Sequence, residues 1–292
     1  MKRAIPLPND ALVSFHYFRQ FNLDQLSNLR IIGDSGAYSA KTQGAEINTG
    51  DLSAWATRWR HRLEWVAALD VIGDPERTYR NWIEMVDVYG VKAVPSIHFG
   101  TDPRELDRYA RRGCDFVGLG GLVGKPEKAQ MRWLVRVFKY QQKNHPGMRF
   151  HGWGCTSTHH ELLPFYSVDS TSWLGGQRYG NMILYDPRTG RRVTYRTNGK
   201  DVYRPIVSSL ITDYYGMRPS EVAYSTAANR QLMVKLAALT MSIGKDRLVQ
   251  KHGTITAPTW GGPHTEGPRL HLACGSTTIL KDIHQMHEKD TP

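Results

Sequence analysis

DFVGLGGLVGKPEKAQMRWLVRVFKYQQKNHPGMRFHGWG, residues 115–154, holds one complete unit of the architecture. A short apolar run at 115–120 ends on glycines. A segment of helical period follows over 127–143, with Met131, Leu134, Val135 and Phe138 on one face. Lys128, Arg132, Arg136 and Lys139 fall elsewhere around it. A second apolar run comes at 149–154. Strand, helix and strand in this order mean two parallel strands joined by a crossover.

The same alternation extends outward in both directions. Residues 12–18, 30–34, 66–72, 92–98 and 167–171 read as further strands. Residues 52–64, 76–89, 103–112 and 159–165 read as helices between them. Thr101-Asp102-Pro103 places a capping residue ahead of an N1 proline. Such a series suits a (β/α)8 TIM barrel or a doubly wound sheet. No G-x-G-x-x-G follows the first strand. Polar residues instead gather at strand C-termini: Asp34-Ser35-Gly36, Asp70, His98, Gly120-Gly121, Trp153-Gly154 and Asp169. A barrel brings all strand ends to one mouth, so the pattern favours the barrel. The chain of 292 residues then reads as a single barrel domain.

The alternation stops after residue 172. Residues 182–198 read as two strands around Pro187-Arg188-Thr189-Gly190, and 182–204 is taken as a basic hairpin insertion. Residues 220–292 are expected to supply a C-terminal helix, Ser-capped over 220–243, and loops. Within them 253–268 is Gly/Pro-rich, and the tail after 281 is expected to fray. The eighth barrel strand is assigned to 205–212.

Composition narrows the function. Lys and Arg number 38 against 27 Asp and Glu, a net charge of +11, which favours a polyanionic partner. No run reaches the ~18 apolar residues of a membrane span, and the N-terminal residues lack the apolar run of a signal peptide. The three cysteines, Cys114, Cys155 and Cys274, are far apart, which argues against a disulfide scaffold and for a reducing cytoplasm. The spacings Cys155–His159 and His271–Cys274 do not make the paired C-x-x-C of a structural zinc site, so no metal is expected.

Asp34, Asp70 and Asp169 are the residues most able to carry chemistry. Each alone fits an ordinary strand-end cap or a buried, hydrogen-bonded carboxylate; Asp74, before Pro75, is read as a helix cap. Two aspartates across one barrel mouth, however, can divide the roles of nucleophile and proton donor at a glycosidic carbon. The glycines of 118–124 suit a close backbone approach to a flat ligand, a phosphate cradle or a tight turn. Arg188, Arg191, Arg192, Arg196, Lys200 and Arg204, interleaved with Tyr185, Tyr195 and Tyr203, suit either a solvated face or phosphate contact. Arg108, Arg111 and Arg112 form a second patch, read as a solvated helix face.

Asp34-Ser35-Gly36-Ala37-Tyr38 resembles the D-S-G-G-F motif of the tRNA-guanine transglycosylase superfamily. Asp70, Gly120-Gly121-Leu122, Gly152-Trp153-Gly154 and Asp169 follow in the family order, so the resemblance covers residues 30–175. It implies a (β/α)8 barrel and base exchange at a nucleoside. Asp169 would be the nucleophile at C1′ and Asp34 the general acid/base. Asp70 would read the base edge and Tyr38 would stack on it. Ser35, Gly36, Gly120, Gly121, Leu122, Gly152, Trp153 and Gly154 would complete the base site. No cofactor is implied, because exchange of one base for another is nearly balanced in bond energy.

The chain also departs from the family. Ala37 replaces the second glycine, Lys125 follows the Gly-Gly-Leu motif where bacterial tRNA enzymes carry glutamate, and the C-x-C-x-x-C zinc module is absent. These departures resemble the DNA branch of phages and mobile elements, which exchanges guanine for a 7-deazaguanine such as preQ0. DNA and a 7-deazaguanine base are therefore the expected partners, with no membrane. The alternatives are a tRNA-guanine transglycosylase without the zinc module, a barrel N-glycoside hydrolase, and a nucleic-acid-binding protein without activity.

Overall fold

Eight parallel strands make one sheet in a computed structural model that describes residues 5–37, 39, 43, 44, 46–155, 157, 160–262 and 265–290. They are β1 (Asp10–Ser14), β2 (Arg30–Asp34), β3 (Leu63–Val66), β4 (Ser96–His98), β5 (Phe116–Gly120), β6 (Arg149–Gly152), β7 (Ser167–Ser170) and, after a long excursion, β10 (Arg269–Cys274). β8 (Asn181–Tyr185) and β9 (Arg192–Arg196) form a separate antiparallel pair inside that excursion. The order across the large sheet is β3-β2-β1-β10-β7-β6-β5-β4.

The sheet curls strongly. Trp65 on β3 packs edge-on against His151 on β6, with ring centroids 5.1 Å apart, although four strands separate β3 from β6 in the sheet. It also meets Phe116 on β5 at 5.1 Å and His271 on β10 at 6.4 Å. Just past β3, Ala67 bridges in parallel to Val94. The Val94 N–H donates to Val66 O and the Ala68 N–H to Val94 O, both at 2.8 Å. Helices cover the outside, a TIM-like α/β arrangement.

The helices are α1 (Thr49–Arg58), α2 (Pro75–Ile83), α3 (Leu106–Ala110), α4 (Glu127–Asn144), α5 (Gly175–Tyr179), α6 (Pro205–Asp213), α7 (Arg230–His252) and α8 (Thr277–Asp290). Their starts follow capping chemistry. Asn48 accepts the Asp51 N–H ahead of α1, and Asp74 accepts the Arg77 N–H with Pro75 at N1 of α2. Asp102 accepts the Arg104 N–H at the head of a short 3-10 turn that leads into α3. No helix of the described residues is long and apolar enough to cross a membrane.

Several expectations need correction. The eighth parallel strand is β10, not 205–212. Residues 205–213 are helical because Pro205 sits at N1 and Val207, Leu210 and Ile211 recur at helical spacing, all buried. Residues 220–292 thus contribute a core strand as well as helix and loop. The helix expected over 220–243 begins at Arg230 and runs to His252; residues 219–221 form a separate 3-10 turn. Of the tail after 281, the described residues through 290 are helical, with Ile283 buried and Asp282 paired with Arg230 at 3.2 Å. β1 starts at Asp10 rather than residue 12, and Phe15–Phe18 is a helical turn. The strand expected over 66–72 is Leu63–Val66, and of the helix expected over 159–165 the described residues 160–165 hold only the 3-10 turn His160–Leu162.

Candidate active site at the strand C-termini

Asp34 is the last residue of β2, Asp169 is in β7, and Asp70 follows β3 by four residues. Because all eight strands run the same way, the three carboxylates meet at one end. Asp34 Oδ2 accepts the Gly36 N–H at 3.1 Å. Gly36 has φ +73°, and a Cβ there would lie 2.2 Å from Ser14 Oγ and 2.7 Å from His16 Cβ, so this turn admits only glycine. Ser35 is buried, and its Oγ accepts the Ala37 N–H. Burial, then the charges of Asp70 and Asp169, push the Asp34 carboxyl up to about 7.

Asp169 is buried and held from two sides. Its Oδ1 accepts the Gly154 N–H at 2.9 Å and lies 3.3 Å from His151 Nε2. The His151 ring is fully buried, with Nδ1 2.8 Å from Ser167 Oγ. Burial lowers its pKa, outweighing the pull of Asp169, so the ring is neutral. The network then assigns Nε2–H as donor to Asp169 and the Ser167 hydroxyl as donor to Nδ1. Asp70 Oδ2 lies 2.6 Å from His98 Nε2 at the end of β4.

The glycines of β5 answer to Trp153. A Cβ on Gly118 would lie 2.2 Å from Trp153 Nε1, and one on Gly120 would lie 3.0 Å from Trp153 Cδ1. The indole thus lies across β5 and donates to Ser96 Oγ at 3.0 Å. Gly121, at φ +70°, packs against His98, and Leu122 is buried. A Cβ on Gly152 would meet Cys155 and Phe165, so that glycine serves packing away from Trp153. Tyr38 and His159 lie outside the described residues. An open cavity of about 380 Å³ beside the Gly36 turn is lined by His16, Tyr17, Arg19 and Glu46 among others.

The arginines of the β8–β9 hairpin divide into two groups. Arg192 turns inward to Glu161 at 3.0 Å and to the Tyr185 hydroxyl at 2.7 Å. Glu161 also takes Arg247 of α7 at 3.5 Å, which ties the hairpin to the flank. Arg188 pairs with Asp186 at 3.2 Å, and Arg204 donates to the backbone carbonyls of Thr194 and Asp201. Arg191, Arg196 and Lys200 are exposed, near the exposed Tyr203 and Tyr224. Tyr195, in contrast, is buried and donates to Val222 O at 3.0 Å.

Sequence reasoning misses two groups of this site. His151 is hidden inside a strand, although the alternation that sets Arg149, His151 and Trp153 on one face of 149–153 is a signal that could find it. Ser167 carries no signal at all. Cys114, Cys155 and Cys274 are free and buried. Among the described residues no group of three or more His, Cys, Asp or Glu side chains could hold a metal ion. No family model, curated protein or solved structure matches the chain.

Proposed function

We propose that this chain is a DNA-guanine transglycosylase that exchanges guanine for a 7-deazaguanine base on a closed (β/α)8 barrel. The bridge at Ala67–Val94 and the reach of Trp65 across the sheet support closure. The observation that carries the chemistry is the meeting of Asp34, Asp70 and Asp169 at one end of the parallel sheet, where burial and the two neighbouring charges push the Asp34 carboxyl up to about 7. A group poised there can give a proton in one half-reaction and take one in the next.

Asp169, oriented by Gly154 and His151, forms a bond to C1′ as the glycosidic C–N bond breaks. The electron pair leaves with guanine, which takes the proton from Asp34. The incoming base returns a proton to Asp34, and its nitrogen forms the new bond as the Asp169 ester breaks. Two inversions retain the anomer. Asp70, held by His98, is placed to accept from donors on the base edge. The net charge of +11 and the exposed Arg191, Arg196 and Lys200 support a polyanionic substrate. The same charge suits a long DNA duplex at least as well as a tRNA, and the reading takes DNA.

Incubation of purified protein with labelled guanine or preQ0, and with DNA or tRNA, followed by nucleoside mass spectrometry, tests this. Product is expected in DNA, and Asp169→Asn should lower it about 10³-fold or more. Product in tRNA alone would move the protein to the other polymer. Release of guanine without an incoming base would make it a hydrolase. No reaction with either polymer would overturn the proposal.

A further inference from the structure

Resting on the base-exchange reading, we propose that Val123 is a wedge that enters paired DNA and fills the stack left by the flipped guanine. Val123 is 77% exposed, the highest value among the large exposed hydrophobic residues. It is not on a loose loop. Residues 122–125 form a β-turn closed by the Lys125 N–H on Leu122 O at 3.0 Å, with Gly124 at φ +76°. The buried Leu122 anchors the turn from below. The Gln130 amide of α4 braces it by donating to Leu122 O at 3.1 Å and to Lys125 O at 2.8 Å. Gln130 is oriented in turn by His160 Nε2, 3.0 Å from its Oε1.

This rigid tip stands next to the proposed chemistry. Gly121, at its base, packs against His98, which holds Asp70. Its surroundings suit a polyanion. Lys125 is exposed on the same turn, and Arg19 and Arg178 are exposed on the segments after β1 and β7. Ile72 after β3 and Tyr179 beyond β7 add exposed apolar area at the same end. A braced apolar point with a cation on its own turn, at an end of the sheet that carries further cations, is what a protein needs to unstack a duplex and hold it by its phosphates. An in-stack guanine cannot reach Asp169, and a filled gap keeps the base from returning.

The test uses the full chain and Val123→Ser, with labelled guanine and mixed-sequence DNA, either duplex or heat-denatured. The variant should exchange into duplex about tenfold more slowly, yet match wild type within about twofold on denatured strands, where nothing must be unstacked. Val123→Leu should keep the duplex rate. A parallel measurement needs no chemistry: relaxation of closed circular DNA by topoisomerase should show unwinding with wild type and none with Val123→Ser. An equal loss on both DNA forms, no loss on duplex, or no unwinding by wild type would each overturn the wedge. Unwinding without exchange in any form would instead sink the base-exchange reading and leave the wedge standing.

Discussion

Strand β2 begins at Arg30 and ends at Asp34, and the two ends meet opposite surroundings. At the first end, Asp10 and Glu64 are both paired with guanidinium groups. Asp10 pairs with Arg30 at 2.8 Å, Arg269 lies between Asp10 and Glu64, and Lys245 stands 3.6 Å from Asp10. Burial there works against the charged form of Asp10, but His271, Arg269 and Arg30 together hold it down at about 2. At the other end Asp34, less enclosed than Asp10, faces Asp70 and Asp169, and desolvation together with their charges drives it up to about 7. One end of the sheet is neutralised by pairing and serves stability. The other is left electrostatically unfavourable, which is the condition the proposed base exchange would use.

Removing the charge at the mouth breaks the contrast most sharply. Asp34→Asn is expected to lower base exchange by roughly 10²–10⁴-fold, the worth of a positioned acid/base. The same change should stabilise the fold. A carboxyl with a raised folded pKa favours folding fully only below the unfolded value near 3.9. That contribution is lost as pH rises through about 7. Asparagine cannot ionise, so the variant should outlast wild type at pH 8 by on the order of 1–3 kcal/mol and show no advantage near pH 4. Denaturant melts at the two pH values would reveal it; an unchanged melt at pH 8 would mean Asp34 is not under strain.

At the paired end the opposite sign is expected. Arg269→Met leaves Asp10 and Glu64 facing each other without the cation between them. The cost should be about 3–5 kcal/mol, since one partner of a buried network is gone. Asp10 has a depressed folded pKa, so its stabilisation is present above the unfolded value and is lost as pH falls toward about 2. Wild type should therefore lose more stability than the variant on acidification from pH 5 to pH 2.5. Exchange per folded molecule should stay near wild type at low temperature. A variant that folds normally but exchanges poorly would show that the two ends are not separable.

The same contrast explains what can be read from the chain. β5, α4 and β6 are legible because a period of 3.6 changes to a period of 2 at glycine and proline. Asp34 and Asp169 are legible as polar residues at the ends of apolar strands, whereas Asp70 lies four residues past β3. β10 is not, because Arg269 and His271 interrupt its apolar pattern and a charged side chain inside a core makes sense only with its partners known. Those partners, Asp10 and Glu64, lie more than 200 residues away. His151 is illegible for the same reason: its meaning lies in Ser167 and Asp169, on the neighbouring strand.

The hairpin offers the smallest effect and the finest division. Its arginines form one charge run in the sequence, but Arg192 faces Glu161 while Arg191, Arg196 and Lys200 face solvent. Replacing those three exposed residues with Ser should weaken DNA binding and flatten the dependence of log K on log salt by up to about 0.9 for each phosphate no longer neutralised. The melt should not move, because surface substitutions usually stay within about 0.5 kcal/mol. Arg192→Ser should do the reverse. It strips a cation from the buried Glu161 and from the Tyr185 hydroxyl, so the melt falls while the salt slope holds. Filter binding across a KCl series, with melts of the same preparations, separates the two. If the exposed triple leaves the slope untouched, DNA does not lie along the hairpin, and Lys125, Arg19 and Arg178, exposed after β5, β1 and β7, become its remaining track.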